Sequence, residues 1–149
     1  MKRLSCLLMA LLLLAALVGC GGAKTKDVDA GGLADALYMT VKFDSELKSV
    51  DASNYLDLPV GAEAAARMSN GTTAEEIIVV RCANEDDAKA VKAQVETFVA
   101  DQRADMERYQ PQEVARMEKA VLAQRGVYVV LCVSNDSEKA EQVIKEQLG

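Results

Sequence analysis

The chain has 149 residues, with 17 Lys plus Arg against 23 Asp plus Glu, no His and no Trp; half of it is apolar and its formal charge is −6. That length suits one domain and excludes a two-lobed solute receptor or a large enzyme. The absence of His removes Ser/His and Cys/His nucleophile pairs, His general bases and His metal ligands together, and the acidic balance excludes a nucleic-acid backbone as partner, since that surface demands clustered Lys and Arg.

The amino terminus carries the clearest signal. Lys2 and Arg3 precede a stretch from Leu4 to Leu17 that is apolar apart from Ser5. As a helix it would rise about 21 Å, short of the roughly 30 Å hydrocarbon core of a bilayer, which is the anatomy of a secretory signal peptide. Leu17-Val18-Gly19-Cys20 then resembles the lipobox of bacterial lipoproteins. The resemblance implies cleavage after Gly19, a diacylglyceryl thioether on Cys20 and a further acyl chain on the new amino terminus. Two or three chains anchor a protein stably where one is marginal. Ordinary cleavage nearby, for example after Ala23, is the alternative and would release a soluble protein. Loss of residues 1–19 removes two basic and no acidic side chains, leaving 15 positive against 23 negative, net −8. Residues 20–32, with Gly pairs at both ends of Gly21–Gly32, read as a flexible tether, and residues 33–149 as a single domain.

Leu33, Leu37 and Val41 recur four apart and predict a first helix. Residues 43–61 read as a loop-rich connection with a short helical turn at Tyr55 and Leu56. Residues 63–69 and 76–83 predict a hairpin across Asn70-Gly71, its second strand the apolar run Ile77-Ile78-Val79-Val80. Asn84 suits an N-cap, with Asp86 and Asp87 in the first turn where the helix dipole favours negative charge. Ala88, Val91, Val95, Phe98, Val99, Met106 and Tyr109 follow at helical spacing, so this helix runs about 24 residues. Pro111 ends it and opens another, whose face is Val114, Met117, Val121 and Leu122 and whose C-terminal cap is Gly126. Residues 127–133 form the next strand. Asn135 with Glu138 makes a capping-box pattern for a last helix lined by Ala140, Val143, Ile144 and Leu148. The fold class is therefore α+β: a small three-stranded sheet packed with helices in the order α-β-β-α-α-β-α. A shift of fifty residues superposes Val79-Val80-Arg81-Cys82 on Val129-Val130-Leu131-Cys132, read either as duplication or as two buried strands entering capped helices.

Few residues nominate chemistry. Cys82 and Cys132 are the thiols left beyond Cys20. Adjacent parallel strands would bring them into disulfide range, within about 7 Å between Cα atoms, whereas antiparallel strands would leave two buried thiols packed as small apolar groups. No CxxC motif supports redox catalysis. Glu75-Glu76, Asp86-Asp87 and Asp101 with Asp105 supply carboxylates, but no pair is singled out for the unequal roles that acid catalysis needs. No complete metal-ligand pattern is present; Asp27-Val28-Asp29-Ala30-Gly31 is a fragment of a calcium loop. Gln102 interrupts the apolar stripe Val95, Phe98, Met106, Tyr109. Two readings follow: an amide bonded to a backbone group beneath it, or a polar anchor in a small groove with Tyr109 and Tyr128.

The ordered set Ala74-Glu75-Glu76-Ile77-Ile78-Val79-Val80, Gln102, Tyr109-Gln110-Pro111, Gly126-Val127-Tyr128 and Ser134-Asn135-Asp136 resembles the uncharacterised bacterial lipoproteins grouped as domain of unknown function 4358. The resemblance spans roughly residues 33–148. It implies a small α+β domain with an extracytoplasmic, membrane-anchored address, and carries over no catalytic or binding residue. The sequence thus leads to the expectation of a non-enzymatic binding or interaction module without a cofactor. It would be held to the outer face of a bacterial membrane through Cys20 and engage a protein or small-molecule partner. The competing reading is a small cell-envelope hydrolase or accessory enzyme using carboxylate, Ser or Tyr chemistry.

Overall fold

A computed structural model describes residues 25–149; the expected signal peptide and Cys20 lie outside the described residues. The chain is α+β, as expected, but its sheet has five strands rather than three. Helix α1 (Ala30–Thr40) is followed by strand β1 (Lys48–Val50), a 3₁₀ turn (Ala52–Asn54), and strands β2 (Glu63–Met68) and β3 (Glu76–Arg81). The long helix α2 (Glu85–Tyr109), a 3₁₀ turn (Pro111–Glu113) and the short helix α3 (Val114–Met117) lead to β4 (Val121–Arg125), β5 (Tyr128–Val133) and helix α4 (Ser137–Leu148). The strands lie in the order β1-β2-β3-β5-β4 and every neighbouring pair is antiparallel.

Both faces of the sheet are covered, which explains why the central strands are unbroken apolar runs. Antiparallel sheets with one wet face alternate apolar and polar residues instead. Successive side chains on a strand point to opposite faces. Ile77, Val79, Tyr128, Val130 and Cys132 therefore meet Leu33 and Leu37 of α1 and Val143, Ile144 and Leu148 of α4. Ile78, Val80, Val129, Leu131 and Val133 meet Val91 and Val95 of α2 and Met117 of α3. The result is three layers with two separate apolar cores. Helix α2 starts as its sequence dictates: the Asn84 side chain accepts a hydrogen bond from the Asp87 amide at 2.8 Å.

Four local expectations are corrected. Strand β1 was hidden because a three-residue edge strand, Lys48-Ser49-Val50, is mostly exposed and carries no period. Residues 121–125 form β4 rather than continuing a helix, and Gly126 is a hairpin residue rather than a helix cap. Arg125 pairs with Tyr128 across the two-residue loop Gly126-Val127; Gly126 has φ +54°, with positive φ confined to the first loop position, as a type II′ turn demands. Asn135 does not cap α4: Asp136 is the N-cap residue, without a side-chain cap bond, and the Asn135 amide donates to Asp44 Oδ2 instead.

The fourth concerns residues 20–32, read as a flexible tether. From Lys26 onward it is fastened to the domain. The Lys26 amide donates to the Leu148 carbonyl at 2.9 Å. The Tyr128 hydroxyl accepts from the Val28 amide at 2.8 Å and donates to its carbonyl at 2.7 Å. Asp27 pairs with Arg81 at 2.7 Å. Asp29 caps α1, which begins at Ala30 rather than Leu33.

Candidate functional site

The candidate site forms where consecutive carboxylates are sent to opposite faces of the sheet. Glu75 and Glu76 stand at the start of β3, and both are buried. Glu75 is on the α1 face and its oxygens are fully engaged. Oε1 accepts from the Asp44 amide at 2.8 Å, and Oε2 accepts from the Ser45 amide at 2.8 Å and from the Thr73 hydroxyl at 3.1 Å. The Arg116 guanidinium lies 3.8 Å from Oε1. That cation also pairs with Asp44 at 2.6 Å and with Glu113, whose Oε2 accepts from the Ala74 amide at 2.9 Å. Glu75 thus clamps the loop after α1 to the start of β3. Charge-assisted bonds from backbone amides and a buried guanidinium meet the cost of burying it.

Glu76 is on the α2 face and is treated differently. Its register partners are Met68 on β2 and Val133 on β5, and α2 lies over it. Gln102 donates from Nε2 to Glu76 Oε2 at 3.1 Å. The other oxygen, Glu76 Oε1, has no partner, and neither has Gln102 Oε1; both atoms are buried, and among the described residues no other buried side-chain polar atom is left in that state. Burial pushes the Glu76 carboxyl up to about 7, with the Gln102 hydrogen bond opposing it. Both residues line a cavity of about 120 Å³ with Glu75, Met68, Ser69, Thr73, Ala74 and Met106. A wider groove of about 440 Å³ runs beside edge strand β4 and α4, but no buried polar atom there lacks a partner. Unsatisfied buried polar atoms are rare in folded proteins and mark sites where another group belongs, so the smaller cavity is the candidate.

The groove residues read from the sequence do not come together. Gln102 faces the sheet on the α2 side, bonded to a carboxylate rather than to the backbone group expected beneath it. Tyr128 is buried in the opposite core, its hydroxyl on Val28. Tyr109 is 79% exposed. Cys82 and Cys132 are free and buried. They lie in opposite cores, and Cys132 pairs across from Ile77 on the antiparallel neighbour, five residues from Cys82. That is about 17 Å along the strand at ~3.3 Å per residue, far beyond disulfide reach. Burial pushes the Cys132 thiol up to about 12, despite a bond to Ser134, and raises Cys82 with help from Asp87. In the native chain at pH 8, iodoacetamide should modify Cys132 on the order of a thousandfold more slowly than an exposed cysteine. Site-resolved peptide mass spectrometry would read this, and a Cys82–Cys132 crosslinked peptide would contradict the geometry.

Sequence reasoning passed over Arg116 and named Glu76 only within a carboxylate pair that it did not single out. The signal that existed was Gln102, a polar break in an apolar stripe whose partner had to lie across the helix–sheet interface. No group of three or more His, Cys, Asp or Glu among the described residues is placed to hold a metal ion. No described helix is long and apolar enough to cross a membrane.

Comparison with protein-family models matches residues 56–134 to the domain of unknown function DUF4358. The chain belongs to this family. The DUF4358 segment spans β2 to β5 with α2 between them, and therefore holds Glu75, Glu76, Gln102 and Arg116; α1 and α4 complete the layers from outside it. No curated protein and no solved structure matches the chain.

Proposed function

We propose that this DUF4358 protein is a lipid-anchored extracytoplasmic bacterial lipoprotein acting as a non-enzymatic binding module, with the Glu76–Gln102 cavity as its binding site. The observation that carries the binding reading is the pair of buried, partnerless acceptor oxygens, Glu76 Oε1 and Gln102 Oε1, on residues lining one small cavity. A ligand donor placed between them would satisfy both. The signal-peptide pattern and Leu17-Val18-Gly19-Cys20 support the address.

The hydrolase alternative has one observation in its favour: a carboxyl raised to about 7 is poised as a general acid. The geometry supports binding better. The neighbouring Glu75 also lines the cavity, but its oxygens are held by the Asp44 and Ser45 amides and the Thr73 hydroxyl beside the Arg116 cation, so it is not free to act as base or nucleophile.

The test starts from the native protein in its own membranes. Cys20→Ser should move it from the membrane pellet to the soluble fraction. Native mass spectrometry of the detergent-extracted wild type should show a low-mass species that Gln102→Leu no longer retains. A Cys20→Ser chain that still pellets would remove the anchor. Wild type and Gln102→Leu of identical adduct-free mass would remove the ligand.

A further inference from the structure

The cavity also constrains what kind of group fills it. We infer that the Glu76–Gln102 cavity takes a primary ammonium group, the protonated end of a small alkylamine or of a lysine side chain, in exchange for the proton held by Glu76. This rests on the cavity being a binding site, and it adds the chemical class of the ligand and the proton linkage.

Three states of the pair can be written down. With Glu76 ionised and the cavity without a ligand, one carboxylate oxygen and one amide oxygen are buried acceptors with no donor, which is costly. With Glu76 protonated, Oε1 becomes a donor and Gln102 Oε1 is the acceptor that lacks one, while Gln102 Nε2 continues to donate to Glu76 Oε2. With Glu76 ionised and a donor-bearing cation between the two oxygens, both acceptors are again satisfied and the buried charge is paired. The second and third states compete, so the cation displaces one proton to solvent. No covalent bond forms or breaks beyond that O–H.

The donor count selects the cation. An ammonium brings three N–H donors: two meet Glu76 Oε1 and Gln102 Oε1, and the third is free for water at the mouth. A guanidinium brings five, and the other polar groups around the cavity are already engaged. Ser69 Oγ donates to the Thr73 carbonyl, Thr73 Oγ1 donates to Glu75, and the Gly71 carbonyl accepts from Gln110. A calcium ion needs six to eight oxygens, and two partnerless ones are present. Size and polarity agree. A cavity of about 120 Å³ has room for an amine head with a short carbon chain. Met68, Ala74 and Met106 supply apolar wall for that carbon. The surrounding ionisable groups leave the exchange to Glu76. Gln102 on α2 is neutral, Cys132 on β5 faces the opposite core, Glu113 and Arg116 pair with each other, and Glu75, which precedes β3 and also lines the cavity, has its oxygens held by Asp44, Ser45 and Thr73. A chain of net charge −6 also concentrates cations around itself.

The experiment titrates the detergent-solubilised full chain by isothermal calorimetry with ethylammonium, with Nα-acetyl-lysine methylamide, and with tetramethylammonium and acetamide as controls. The titrations run at pH 6 and pH 8 in buffers of different ionisation heat. Ethylammonium should bind roughly tenfold more tightly at pH 8 than at pH 6, the gain set by the ionised fraction of Glu76, and release close to one proton per chain at pH 6. Tetramethylammonium, which has no N–H, should not bind. Glu76→Gln, isosteric and checked for unchanged circular dichroism, should lose ethylammonium binding. Equal or tighter binding of the lysine model identifies a side-chain source, and binding of ethylammonium alone a free amine. Both support the inference. Ethylammonium binding that is flat with pH or survives in Glu76→Gln overturns it. Acetamide binding without ethylammonium binding overturns the ammonium class while keeping the cavity as a site. If none of the four binds and the extracted wild type carries no adduct, the binding reading falls as well.

Discussion

Glu76→Gln should stabilise the protein at pH 8 by about 3 kcal/mol while changing little near pH 4.5. Burial raises the folded-state carboxyl from an ordinary 4.5 to about 7, so between those values the folded chain holds a proton that the unfolded chain has released. Stability therefore falls as pH rises through that window, by about 1.4 kcal/mol per pH unit, and stays low above pH 7. This is the reverse of a salt-bridged carboxylate, whose contribution is lost towards acid. Glutamine cannot ionise, and its amide can donate to Gln102 Oε1 while its carbonyl accepts from Gln102 Nε2, so both orphan atoms acquire partners. Urea denaturation of both proteins from pH 4.5 to 8 reads the effect. A stability difference that does not grow with pH, or a variant less stable at pH 8, would show that Glu76 remains ionised in the fold.

Arg116→Met is the opposite case and should destabilise the domain by about 3–5 kcal/mol. The Arg116 side chain is 9% exposed, and its guanidinium joins Asp44, Glu113 and Asn135 while lying beside Glu75. Methionine replaces its stem but leaves two buried carboxylates, Glu75 and Glu113, without a counter-charge. Arg116→Lys should recover only part of the loss, because a single ammonium cannot span partners that the planar fork reaches from separate nitrogens. Adding Glu113→Gln to Arg116→Met should regain stability, since it removes one stranded charge. Chemical denaturation of wild type, Arg116→Met, Glu113→Gln and the double variant tests this as a cycle, with Arg116→Lys measured beside them. A single Arg116→Met loss below about 1 kcal/mol would mean the network behaves as an exposed ion pair.

These two side chains also mark where the sequence was and was not legible. Strands β3 and β5 announce themselves because both of their faces are buried, and α1, α2 and α4 because one face of each is. Strand β4 was masked by its composition. Val121-Leu122-Ala123-Gln124-Arg125 continues the helical spacing of Val114 and Met117 and contains good helix formers, so local propensity pointed one way and pairing with β5 decided the other. Helix α3 stops after Met117 because the chain must turn back to supply that edge. At the site, Gln102 was visible as an amide on an apolar stripe, but a carboxylate at the head of a strand reads as solvent-facing. Only the long helix lying across the sheet reveals that Glu76 is covered while Glu75 turns to the opposite core. Arg116 is likewise silent in sequence, because its partners come from positions 44, 75, 113 and 135.

The fastening of the amino-terminal segment bears on how the domain would stand on a membrane. Thr25 lies against the Gly126 turn, and Asp27 and Val28 are held by Arg81 and Tyr128, all at the end of the central strands opposite to Glu76. With Cys20 lipid-anchored as proposed, four residues lie between the anchor and Thr25, and the five steps of chain reach at most about 18 Å at ~3.5 Å per residue. The short leash grips one pole of the sheet, and β3 acts as a spacer of about 17 Å at ~3.3 Å per residue between Arg81 and Glu76. The cavity then sits at the distal pole, turned from the lipid towards whatever the envelope carries past it.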